Sequence, residues 1–123
     1  MATLSDVGDF VSLGIVTTAS TSVGVRVTTN LADPVAALPC QAISFQALST
    51  GTGVVYICNT ANPVLTDGLQ KGIIWEIPPP SAAPVTRPLL AIGNPTGTAP
   101  LNVAELFVLP VVGGEGVRIT VML

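Results

Sequence analysis

The chain contains no histidine. That removes the most common general base and every histidine-containing catalytic triad. It holds four basic residues in all, Arg26, Lys71, Arg87 and Arg118. Four cannot build a phosphate-tracking stripe, so direct nucleic-acid binding is not expected. Two cysteines, Cys40 and Cys58, cannot close a tetrahedral zinc site without histidine. No apolar run approaches the ~18 residues of a spanning helix, so no membrane span is expected. No basic segment precedes an apolar stretch near residue 1, and no secretory signal is read there. Charged residues make up only 9% of the 123, against about 25% in an average globular domain.

What is present is apolar and turn-rich. Apolar residues reach 49%, and 12 Gly and 11 Pro punctuate the chain. Glu, Lys, Arg and Gln are scarce, and no window of helical length carries a 3.6-residue period. Short β-branched runs alternate instead. Ile43, Phe45 and Ala47 share one face, with Ser44 and Gln46 on the other. Ile73, Trp75 and Ile77 oppose Ile74 and Glu76. Val117, Ile119, Val121 and Leu123 form a final face. Further strands are read over residues 11–18, 21–29, 53–58 and 104–110. Residues 84–92 form an edge strand or an extended crossing, since Pro88 interrupts them. The loops at 49–53 and 113–116 are glycine-rich and read as hairpin turns.

About seven or eight short strands at intervals of ~8–12 residues define an all-β chain. The expected architecture is an antiparallel β-sandwich (jelly-roll-like) or a small barrel. Residues 1–16 form an N-terminal arm or edge segment, and residues 17–123 a single sandwich domain.

The remaining chemistry is thin. Cys58 lies in an apolar strand with no neighbouring cation, as expected of an inert thiol. Both cysteines are expected to be free. In a 48–54 hairpin Cys58 faces Ile43 or Ser44, leaving Cys40 roughly 10 Å away. Asp6 with Asp9, Glu105 with Glu115, and Asp67 with Glu76 read as solvated loop charges. Trp75 shares a face with Ile73 and Ile77 and reads as core packing; a sugar-stacking platform would be the alternative. No enzyme activity, cofactor or metal is expected.

Apolar side chains also fall on faces that alternation turns outward. Together with the scarcity of charge, they point to burial against other subunits. The interface candidates are Leu4, Val7, Phe10, Leu13, Ile74, Phe107 and Leu109. Residues 1–16 carry Leu4, Val7, Phe10, Val11, Leu13 and Ile15, too many apolar side chains for a solvated tail. They are expected to touch a neighbouring subunit or partner; otherwise they supply the first strand of the same sheet.

Three segments carry a resemblance: residues 42–57 (AISFQALSTGTGVVYI), 101–108 (LNVAELFV) and 114–121 (GEGVRITV). In this order they resemble small β-sandwich virion proteins of tailed bacteriophages. Cys58-Asn59 departs from the Gly-Asn or Gly-Asp of that pattern, and so does the run Pro78-Pro79-Pro80. The resemblance implies a non-enzymatic capsid decoration (cement) protein. Such a protein is made in the host cytoplasm, sits on the capsid exterior as a homotrimer, and braces the major capsid protein lattice. A phage tail, neck or host-attachment (carbohydrate-binding) module is the alternative.

Overall fold

The computed structural model describes residues 10–66, 70–82, 85–86, 89–93 and 101–123. Within them the chain is an antiparallel β-sandwich. Its strands are β1 (Phe10–Thr17), β2 (Val25–Arg26), β3 (Pro39–Cys40), β4 (Ala42–Ala47), β5 (Val55–Cys58), β6 (Ile73–Ile77), β7 (Ser81–Ala82), β8 (Val85–Thr86), β9 (Leu89–Gly93), β10 (Leu101–Asn102), β11 (Phe107–Pro110) and β12 (Gly116–Met122). One sheet has the order β1-β12-β4-β9 and the other β2-β11-β5-β6. Two small ribbons, β10-β3 and β7-β8, flank them.

The core forms where alternating residues of both sheets meet. Ile43, Phe45 and Ala47 of β4 are buried, and so are Val117, Ile119 and Val121 of β12. From the second sheet Val55, Ile57, Ile77 and Val108 face them, with Trp75 packed alongside. Trp75 therefore belongs to the core, as its periodicity indicates. Leu123 lies beyond β12 and is exposed rather than continuing the buried face.

Residues 10–16 supply the first strand of the sandwich itself. β1 pairs with β12 from Phe10↔Met122 to Thr17↔Gly116. Leu13 and Val16 enter this core, which corrects the assignment of Leu13 to an outside surface. A bulge at Leu13-Gly14, with Gly14 at φ +79°, moves the inward side from Leu13 to Val16 and turns Ile15 out.

Two expected hairpins do not form. β4 pairs with β12 and β9, whereas β5 pairs with β11 and β6. The 48–54 loop therefore crosses between sheets. The 111–115 loop does the same between β11 and β12. A five-residue glycine-rich loop spans the ~10 Å between stacked sheets as readily as the ~4.8 Å between paired strands. Local turn chemistry does not distinguish the two cases.

The strand read over 21–29 shrinks to Val25–Arg26. Upstream of it the Ser20 hydroxyl accepts from the Ser22 and Val23 N–H groups and bends the chain. Downstream the Thr29 and Leu31 N–H groups donate to Arg26 and Thr28 carbonyls, forming turns. Residues 104–110 divide into a short 3-10 turn, Val103–Glu105, and β11. The Asn102 side chain starts that turn by accepting from the Ala104 N–H, and it also accepts from the Leu38 N–H.

Candidate functional site

Three connections meet at one end of the sandwich: residues 18–24, 48–54 and 111–115. Hydrogen bonds stitch them together. The Thr18 N–H donates to the Glu115 carbonyl, and the Gly114 N–H donates to the Thr18 carbonyl at 2.8 Å. The Val111 N–H donates to the Val54 carbonyl at 3.0 Å. The closest knit is at the Glu115 side chain. Its Oε2 accepts from the Thr52 N–H at 2.8 Å and from the Thr52 hydroxyl at 2.9 Å. Its Oε1 accepts from the Gly53 N–H at 2.9 Å. Partial burial raises the Glu115 carboxyl, but these hydrogen bonds outweigh it and hold the group below the ordinary value of 4.5.

Glycine permits the close approach. A Cβ on Gly53 would stand 2.6 Å from a Val111 methyl and 2.8 Å from a Val112 methyl. A Cβ on Gly113 would stand 2.7 Å from the Ala19 carbonyl oxygen. Val111 and Val112 thus lie over the 48–54 loop and are 43% and 40% exposed. Val23 of the 18–24 connection is exposed as well. Around these valines the loops carry Ser, Thr and Gly, and Glu115 is their only ionisable side chain. The result is a small apolar patch with a hydroxyl rim, held by a rigid scaffold.

The far end of β12 is a second exposed apolar region, six residues or about 20 Å away. There Phe10 is 78% exposed and pairs with Met122, which also pairs with Ala42. Phe10, Ala42, Ser44, Thr120 and Met122 border a shallow concavity of about 150 Å³ on the outer face of the first sheet.

The seven interface candidates do not form one surface. Leu4 and Val7 lie outside the described residues. Leu13 and Leu109 are buried, at 2% and 0% exposure, so neither is available to a partner. For Leu109 the cause is that both faces of β11 are covered: Val108 points into the core, and Leu109 is enclosed on the opposite side. Phe107 is half-buried, with the Arg26 guanidinium 4.9 Å above its ring. The same guanidinium donates to the Ala104 carbonyl at 2.6 Å. Phe10 and Ile74 remain exposed, on strands of different sheets.

The loop-end residues escape the sequence reading because 113–116 resembles a hairpin turn. Nothing in the sequence sets Val111-Val112 apart, since Val54-Val55 and Val108-Leu109 are equally apolar adjacent pairs. Among the described residues no group of three metal-ligating side chains comes together, and no helix is long and apolar enough to cross a membrane. Both thiols are free and buried. Burial raises both, Cys58 to about 11, as it does for inert thiols. The chain matches no family model, no curated protein and no solved structure.

Proposed function

We propose that this chain is a non-enzymatic structural protein of a bacteriophage virion. In this reading it is a decoration protein that assembles as a homotrimer and braces the capsid lattice. The observation that carries the proposal is the stitched loop end: a rigid, nearly uncharged patch of Val111 and Val112 with a hydroxyl rim. Such a patch suits a protein surface. Phosphate backbones would call for cations, and sugars for exposed aromatic rings. The resemblance of residues 42–57, 101–108 and 114–121 to small phage virion proteins supplies the partner, the major capsid protein.

The proposed docking end is 111–115, and the exposed Phe10 end is proposed for contacts between copies. Contacts between copies through the Phe10 end leave the 111–115 end free to face the lattice. The test is co-sedimentation with empty phage capsids assembled from purified major capsid protein. The native chain is expected to sediment with them. Val112→Asp is expected to stay folded and to lose at least tenfold in affinity. Light scattering is expected to give three times 12.4 kDa. A monomer at all concentrations that also ignores capsids overturns the reading, and binding on a glycan array would replace it with the attachment-module alternative.

A further inference from the structure

We propose that Glu115 is a single-proton latch, which locks the Thr52-Gly53 tip of the 48–54 crossover onto the 111–115 crossover while ionised and loosens that tip when protonated. The inference stands apart from the capsid reading, because it concerns the isolated chain.

The geometry is that of a carboxylate receptor. Three donors converge on two oxygens at 2.8, 2.9 and 2.9 Å. Two of those donors are consecutive backbone N–H groups, from Thr52 and Gly53. Protonation removes the negative charge from these acceptors, so the three bonds become neutral ones. Charge-assisted bonds of this kind are about twice as strong as neutral ones. The two crossovers run side by side between two ladders, from Ala47↔Val117 of β4 and β12 to Val55↔Pro110 of β5 and β11, and the carboxylate closes the gap between those ladders. The bond from the Val111 N–H to the Val54 carbonyl and the two flanking ladders remain when the carboxylate lets go, so the release is confined to Thr52 and Gly53.

Nothing else in the three loops competes for the titration. Residues 18–24, 48–54 and 111–114 contain no ionisable side chain. Pro80, which borders Gly51, adds none. Along the strands leading away, the next ionisable residues are Arg26 in β2, Tyr56 in β5, Glu76 in β6 and Arg118 in β12. The lowered pKa of Glu115 agrees with the geometry. The sign follows. A carboxyl bound more tightly as its anion stabilises the closed loops above its ordinary value, and that contribution disappears as pH falls through the folded-state value.

The test is an acid titration of the native chain followed by amide NMR. The Thr52 and Gly53 amide signals are expected to move together, with one midpoint below 4.5 that matches the Glu115 carboxyl carbon. Their hydrogen-exchange protection is expected to fall about tenfold across that midpoint, while Ile119 and Val121 in β12 stay protected. In Glu115→Gln the two amides are expected to lose this titration. Unmoved amides in the native chain overturn the proposal. So does a midpoint at or above 4.5, a titration that survives in Glu115→Gln, or simultaneous loss of protection in β12. The first and last of these readouts need no variant, so a Glu115→Gln chain that fails to fold does not shield the proposal.

Discussion

The Phe45 ring of β4 and the Trp75 ring of β6 stand 6.4 Å apart with their planes tilted by 39°, joining the two sheets across the core. Phe45 is fully buried. Phe45→Ala is expected to cost about 3–5 kcal/mol, the range for emptying a large buried aromatic site. Trp75 is the single tryptophan, so its fluorescence during denaturant unfolding reads this contact directly. A loss under about 1 kcal/mol would show that the ring is not a bridge between the sheets.

Gly116 gives a sharper test of the β1–β12 seam. A Cβ there would overlap the Val16 carbonyl oxygen, a backbone atom held in the strand pairing. Gly116→Ala is therefore expected to destabilise by about 3 kcal/mol or more. Gly114→Ala is the control. Its φ of +88° carries only the left-handed cost of about 1–2 kcal/mol, and its surroundings are open. Thermal melts of the two variants should separate clearly; equal melting points would mean that the seam opens to admit a methyl group.

Asn30 guards the free edge of β1. Its side-chain amide donates to the Leu13 carbonyl at 3.1 Å and to the Ile15 carbonyl at 3.2 Å, either side of the Gly14 bulge. Exposed edge carbonyls recruit other strands. Asn30→Ala is expected to lose about 1 kcal/mol and to raise self-association at high concentration, read by light scattering. An unchanged association state would show that the bulge alone protects the edge.

The thiols carry a prediction in alkali. Two free thiols per chain are expected in denaturant, and slow reaction with thiol reagents in the native state at pH 8. Burial holds Cys58 neutral up to about 11, against 9.0 when unfolded. The unfolded chain thus releases that proton first, and stability is expected to fall as pH rises from 9.0 toward about 11. Denaturant midpoints across that interval check the slope. A midpoint that holds steady would mean that Cys58 ionises equally in both states.

Faces were legible in the sequence where alternation is strict. β4 and β12 bury the residues that their two-residue period selects. Which sheet each strand joins was not legible, since Thr50-Gly51-Thr52-Gly53 serves a crossover with the same residues a hairpin would use. The β1 bulge also hides: Leu13 and Ile15 sit two apart and look equivalent, yet Gly14 at φ +79° buries one and exposes the other. The β5–β6 pairing holds a second such shift between Ile57 and Cys58, where Ile74 is left without a partner. At the candidate site, Glu115 reads as a stray charge because its partners lie 62 and 63 residues away. The free state of Cys40 and Cys58 is as expected, although the hairpin register behind that expectation does not exist.

β12 lies between β1 and β4 in the first sheet. During synthesis, therefore, β1 and β4 both wait for a strand made about a hundred residues after the first of them. Until β12 has left the ribosome, the nascent chain holds an incomplete sheet with its apolar face uncovered. Loop closure over such distances is slow, and unpaired edges in that interval are open to the wrong neighbour. Leu13, Val16, Ile43 and Phe45 thus need shelter until β12 emerges, and co-expression with a holdase chaperone is expected to raise the yield of folded chain.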